Sequence, residues 1–341
     1  MRLSILDQSP IISGHTPAQA IRATLELARA AERLGYRRYW LAEHHAMQGL
    51  ADPCPEILLG QVAAQTTRIR VGTGGVLLPY YSPLKVAEVF RMYEALFPGR
   101  IDLGIGRAPG GSLLTARAMN AEAGGSEDRF PTQVQETIGY LDDALPPHYP
   151  FAAVKAMPSG PTSPQVWLLG SSDFSGSLAA YLGLRFSFAH FISAHGGAAV
   201  MQAYRNDFRS AYRDPNPYCM VAVFAICAST QEQAERLAAS IDLRRLQMAR
   251  GEEQPVATAD EALARPYSEA ERTIIEKERA RAVVGSPQRV KARLLELKEQ
   301  FQADEVMVVT ITGDYATRLR SYELLAEAFE LDSSSDDADA A

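Results

Sequence analysis

Three times along this chain a hydroxyl-bearing residue is followed directly by proline and then by an amphipathic run: Thr16-Pro17, Ser82-Pro83 and Ser286-Pro287. A side-chain acceptor at the cap with proline in the first turn is the chemistry of a helix start. The first two starts come after short apolar segments, residues 3–6 and 69–78, that read as buried strands. Strands buried on both faces belong to parallel sheets covered by helices, so the pattern places the chain in the α/β class.

Carried along the chain, the alternation continues. Residues 39–45, Tyr39-Trp40-Leu41-Ala42-Glu43-His44-His45, form a second strand that ends abruptly in ionisable side chains. Further strands are expected at 100–106, 166–169, 186–191, 218–228 and 305–311. Between them Ile21, Leu25, Ala28 and Leu34 mark one helix face, and Val86, Val89, Phe90, Tyr93 and Phe97 another. Other helices are expected at 57–64, 130–144, 173–182 and 197–212, from Thr230, and along Val290, Leu294, Leu297 and Phe301, with a last one ending near Phe329. The proline-rich stretch 146–164 is read as irregular, with a short strand at 151–156. Eight strands alternating with helices count to a closed (β/α)8 TIM barrel, with a doubly wound open sheet as the alternative. Residues 1–330 are then a single domain and the acidic tail 331–341 is disordered. Residues 243–283 are charged, weakly patterned and too long for a plain connection, which makes them a lid or insertion after strand seven.

Composition narrows the class further. With 47% hydrophobic and 22% charged residues the chain can build a large core, and a net charge of −7 without any basic block argues against nucleic-acid binding. The three cysteines, Cys54, Cys219 and Cys227, are not spaced for a zinc site or a disulfide scaffold. The start of the chain is too short an apolar run for a signal peptide, and no run approaches a membrane span. A cytoplasmic protein is the expectation.

In a parallel α/β fold, chemistry gathers where the strands end. His44 can change charge near neutral pH and is the candidate acid or base, against a plain hydrogen-bonded rim role held at even weight. Adjacent His44 and His45 on an extended chain point opposite ways, which disfavours a metal. Arg107 closes Gly104-Ile105-Gly106-Arg107, where a forked donor suits phosphate; many such arginines simply pair with a carboxylate. Gly170-Ser171-Ser172 followed by Ser175 puts hydroxyls and free amides at a helix start, an anion site or a plain cap. Gly74-Gly75 inside a strand marks a bulge or the close approach of a flat ring.

Taken together, four stretches resemble the bacterial luciferase-like flavin monooxygenases, in a subgroup distinct from the light-emitting enzymes: residues 40–45, Val71 to Pro79, Gly99 to Arg107, and Leu168 to Ser172. The resemblance runs from Leu3 to about Phe329 and implies a barrel that binds FMN at its carboxyl rim. Arg107, Ser172 and Ser175 would hold the phosphate, with Glu43, Gly170 and Ser171 also bordering the cofactor. Gly74-Gly75 would lie against the ring, where the family often has a non-proline cis peptide, and His44 would sit beside its reactive edge. Reduced FMN would come from a separate flavin reductase, and O2 would form a C4a-peroxide that oxidises a small organic substrate, shielded by a lid. A homodimer is also implied. Light-emitting members carry a cysteine at the place of Gly106 and an acidic residue at that of Ser171, so light emission is not implied. Hydride transfer from a deazaflavin, or flavin binding without turnover, are the competing expectations.

Overall fold

In the computed structural model, which describes residues 1–120, 129–210 and 213–332, every pairing between named strands is parallel. Strand β1 (Arg2–Asp7) pairs with β2 (Arg38–Leu41), and β2 with β3 (Arg70–Thr73). After Gly74-Gly75, which is joined by a cis peptide, the chain resumes as β4 (Val76–Leu77). Both β3 and β4 lie against β5 (Ile101–Gly106), so the run expected at 69–78 is two short strands. The order continues through β6 (Gln165–Gly170), β7 (Arg185–Ala189) and β8 (Cys219–Cys227). The last half of β8 carries an extra strand, β9 (Ala282–Gly285), outside the ring. Finally β10 (Glu305–Val309) pairs with β8 on one side and β1 on the other, closing the (β/α)8 barrel and excluding the open sheet.

The helices begin where the capping chemistry places them. Thr16 caps α1 (Pro17–Arg33) in a reciprocal box with Gln19. Ser82 and Ser286 stand before α3 (Pro83–Leu96) and α11 (Pro287–Gln300) without a side-chain cap bond, so proline there is the stronger signal. Between α1 and α3 lies α2 (Pro55–Ala64), and the rim loop after β5 holds α4 (Leu113–Met119). Next come α5 (Phe130–Leu141), α6 (Asp173–Leu182) and α7 (Gly197–Asp207), and α12 (Tyr315–Phe329) ends the described fold. Residues 121–128, residues 211–212 and the tail from Ser333 lie outside the described residues.

Two expectations change. Residues 151–156 form turns, with the Ala152 and Val154 amides bonding to Tyr149 and Phe151, and pair with no strand. Residues 243–283 are mostly helical: α8 runs from Gln231 to Ala249, followed by α9 (Ala259–Ala264) and α10 (Glu269–Arg279). Thr258 and Ser268 each close a capping box, and Leu243 packs with Ala239 and Ala262. These local signals are diluted by charge on the exposed faces, which hid the helical period.

Alternation along each strand builds two cores. Ile5, Tyr39, Leu41, Val71, Leu103, Val221 and Val306 face the helices. Leu6, Trp40, Trp167, Met220, Ala222 and Met307 face inward, with the Trp40 and Trp167 rings edge to face at 5.3 Å. Below the tryptophans the interior is charged. Arg38 donates to Glu305 at 3.0 Å and Asp102 at 2.8 Å, and Arg70 donates to Asp102 at 2.6 Å. Ser4, Gln165, Arg185 and Tyr218 complete the network through Glu305, Arg38 or one another. Burial alone would raise the Asp102 pKa, but the Arg70 and Arg38 charges outweigh it and hold the carboxyl down at about 2.

Asp102→Asn leaves both guanidiniums buried with less counter-charge, so a loss of about 3–5 kcal/mol is expected by denaturant titration. The folded value lies below the unfolded one of about 3.9, so the stabilisation is complete above that range and vanishes as pH falls through about 2. Wild type therefore loses more stability than Asp102→Asn on acidification; equal slopes would refute the assignment.

Candidate active site

At the carboxyl ends of the strands a cavity of about 260 Å³ opens, floored by Trp40, Ala222 and Met307. Every residue singled out from the sequence borders it: Glu43 and His44 after β2, Gly74 and Gly75, Arg107 after β5, and Gly170, Ser171, Ser172 and Ser175 at the start of α6. A larger hollow of about 550 Å³ lies at the opposite end, between Met1, Tyr36 and Asp332, and contains none of them. In this fold that end serves stability, so the smaller cavity is the candidate site.

Glu43 is the anchor of the rim. Its buried carboxylate accepts from the Leu77 amide at 2.9 Å and the Tyr81 hydroxyl at 2.7 Å, and lies 2.7 Å from His45 Nε2. The His45 amide in turn donates to the Gly110 carbonyl at 3.0 Å, and the Tyr80 hydroxyl donates to the Pro109 carbonyl at 2.7 Å. One carboxylate thereby couples the bend after Gly74-Gly75 to the loop that carries Arg107. With its oxygens committed to these donors, Glu43 acts by position. His45 was weighed from the sequence only as a metal ligand and the two tyrosines were not singled out; an aromatic pair before a helix cap gives no signal of a partner 38 residues away.

His44 is different. Its Nδ1 is buried without a hydrogen-bond partner of good geometry. Burial, reinforced by the charge of Arg244 and opposed in part by the Ala42 backbone, pushes its pKa down to about 4. The ring is therefore neutral at physiological pH. Its amide donates to the Asp52 carbonyl at 3.2 Å. The Asp52 carboxyl is itself buried, with Oδ2 unpartnered and its pKa raised by burial to about 7. Asp52, in the loop between β2 and α2, was not among the candidates read from the sequence.

Across the cavity, the Arg107 guanidinium lies 4.3 Å over the Phe174 ring, in the first turn of α6. Among the described residues it makes no ion pair, so the plain reading of Arg107 as a structural pair fails. Ser172 occupies the cap position of α6 but makes no side-chain cap bond, while the Asp173 carboxylate accepts the Phe174 amide. The Ser172 hydroxyl is thus uncommitted beside free helix amides. Gly170 is required by packing: a Cβ there would sit 2.3 Å from the Ser175 hydroxyl. At Gly75 a Cβ would strike Leu169 at 2.6 Å and the Gly104 carbonyl at 2.8 Å, so side chains are barred on that wall. Among the described residues no cluster could hold a metal.

Fold and site define a (β/α)8 barrel enzyme whose rim gathers an unpaired arginine, free hydroxyls, a helix N-terminus and a neutral histidine. The profile of the luciferase-like monooxygenases matches residues 1–304, and the chain belongs to that family. The structure of apo-MsnO8 is similar at 42% identity, with a TM-score of 0.89 over 97% of this chain and 98% of that one. N-acetyl-S-alkylcysteine monooxygenase of Bacillus subtilis is 36% identical over 332 residues, covering 96% of this chain and 98% of the relative. The fold also matches the oxygenating constituent of 3,6-diketocamphane monooxygenase from Pseudomonas putida, solved with FMN. That likeness has 19% identity and a TM-score of 0.72, over 96% of this chain and 97% of that one.

The depressed His44 value carries a stability consequence. The folded pKa of about 4 lies below the unfolded one of about 6.5, so stability present above that range falls as pH drops through about 4. Imidazole nitrogen NMR should show His44 neutral down to about pH 5, and protonation near 6.5 would contradict the burial account.

Proposed function

We propose that this enzyme binds reduced FMN delivered by a separate flavin reductase and uses O2 to oxidise a small organic substrate. The observation that carries the reading is Arg107, a guanidinium without a carboxylate, placed over Phe174 beside the uncommitted Ser172 hydroxyl and the α6 amides. That donor set matches a phosphate monoester. Ser175 and Ser171 add hydroxyls to the same wall, and Gly170 leaves the backbone open to it.

Bound reduced FMN would supply the electrons that activate O2. The chain would do the rest. Gly74 and Gly75, held in place by Glu43 through Leu77, would leave a flat wall for the ring. His44, neutral and with a nitrogen free to accept, would take or share a proton at the substrate's reacting atom. The cover of α8 to α10 would limit water entry, the role expected of a lid. The N-acetyl-S-alkylcysteine relative is named for a small organic thioether, and a substrate of that size suits this cavity. A homodimer in the cytoplasm belongs to the same proposal, as the family resemblance implies it.

The test is to mix the protein with photoreduced FMN, admit O2 and follow absorbance by stopped flow. A long-lived species distinct from free flavin supports the proposal. Return to oxidised FMN at the free-flavin rate, or tighter binding of reduced deazaflavin than of reduced FMN, overturns it. Arg107→Ala should weaken FMN binding roughly 10- to 100-fold, the range for a charge-assisted contact. His44→Ala should leave FMN binding in place and lower substrate oxidation by about 10² or more. A His44→Ala enzyme with full turnover would remove histidine from the mechanism.

A further inference from the structure

The side chains that point into the barrel change in kind from one level to the next. At the base stand Ser4, Arg38, Gln165, Arg185 and Glu305, all polar and tied to one another. Two residues further along each of these strands the inward positions hold Leu6, Trp40, Trp167, Ser187 and Met307. Four of these are apolar and join one cluster. Ser187 is the exception. It is 5% exposed, stands between Leu169 and Met220 in register, and borders the cavity. Its hydroxyl makes no hydrogen bond among the described residues. Alanine would fill the same space without leaving a polar atom unpaired, so a hydroxyl at this level needs a partner.

The cavity lining shows what kind of partner fits. Around the ring, the ionisable side chains that border the cavity all lie on one half: Glu43 and His44 after β2, and Arg107 after β5. The other half is built by β7, β8, β10 and β1, which are neighbours in the closed sheet. It presents Leu6, Ala189, Phe191, Ile192, Ala222 and Met307, and none of its bordering residues is ionisable. Its polar side chains are Ser187 near the floor and Gln8 just after β1. The Gln8 amide is also without a hydrogen bond among the described residues. A charged group placed on this half would be desolvated without a counter-charge, which is costly, whereas an apolar body is suited to it. One uncharged oxygen can be accommodated there, because the Ser187 hydroxyl can donate to it.

We propose that Ser187 donates a hydrogen bond to an uncharged carbonyl oxygen of the substrate. The substrate class is then a small, neutral and otherwise apolar carbonyl compound, held by the β7, β8, β10 and β1 half of the cavity. A site built to hydrogen-bond one substrate group rejects the analogue that lacks it, so Ser187 sets specificity and takes no part in the oxidation itself. The assignment rests on the oxygenase reading and names the substrate class of that site.

The probes are acetophenone with its alkene counterpart α-methylstyrene, cyclohexanone with methylenecyclohexane, and benzoate as the charged counterpart of acetophenone. Binding is measured by calorimetry to the full chain, with and without FMN, for wild type, Ser187→Ala and Ser187→Thr. At least one ketone should bind roughly 3- to 10-fold more tightly than its alkene, the range for one neutral hydrogen bond. Benzoate should bind about tenfold or more weakly than acetophenone. Ser187→Ala should abolish the ketone preference and Ser187→Thr, which keeps the hydroxyl, should retain part of it, with FMN affinity unchanged in both. The proposal is overturned if neither ketone binds wild type, if ketone and alkene bind alike, or if the preference survives Ser187→Ala. Benzoate binding as tightly as acetophenone overturns it as well, and so does weaker FMN binding in Ser187→Ala, which would assign the hydroxyl to the cofactor. A wild type that takes up no FMN yet prefers ketones supports the Ser187 contact and strikes the oxygenase reading instead. The ketone–alkene comparison in wild type does not depend on how either variant folds.

Discussion

The Arg38–Asp102–Glu305 network is the constraint on which the rest of the barrel depends. Taking a guanidinium out of water costs several kcal/mol, and only well-placed counter-charges offset that. Arg38 meets both of its carboxylates with full burial of all three side chains, and Arg70 shares Asp102. Ser4, Arg38, Arg70, Asp102, Gln165, Arg185 and Glu305 lie on seven different strands, and Tyr218 immediately precedes the eighth. A register slip of one residue would turn a charged side chain out of this ring and a neighbour into it. The network therefore specifies closure and register together, something apolar packing alone does less selectively.

Closure in that register then sets the site. Two residues above Arg38 stands Trp40, whose Nε1 donates to Asp102 at 2.9 Å and whose ring meets Trp167. This layer fills the barrel and forms the floor of the cavity. Above it the same strand runs out through Ala42 to Glu43 and His44, so the histidine inherits its place from the buried arginine of its own strand. Glu43 transmits that order sideways, to Leu77 after the glycine pair and through His45 to the Arg107 loop. The rim is rigid because its loops share one carboxylate.

Much of this was legible in the chain. The eight strands followed from apolar runs bounded by cap-then-proline starts, and every candidate residue borders one cavity. Strand three looked continuous because glycine disturbs no hydrophobic count, although Gly74-Gly75 splits it. The helices α9 and α10 were missed because each is short and buries only one face, leaving the charged residues to dominate the pattern. The interior charges were illegible for a deeper reason. Arg38, Asp102 and Glu305 stand at or near strand starts, where polar residues are usually solvated, and only closure of the ring reveals that they meet.

The same property separates scaffold from chemistry in this molecule. At the base of the barrel Arg38, Arg70 and Arg185 are neutralised by carboxylates of the chain itself, and the charges there belong to stability. At the rim Arg107 is left, among the described residues, without a carboxylate, beside a cavity that is also bordered by a histidine with an unpartnered nitrogen. Incomplete pairing reduces the stability of the folded chain and persists where a ligand completes it. The cavity is walled by Gly74, Gly75, Trp40 and Met307, a low-dielectric lining that would strengthen a proton transfer made by His44 on the proposed reading. On the proposed reading Arg107 would take the phosphate of the cofactor and leave the neutral imidazole of His44 for the substrate.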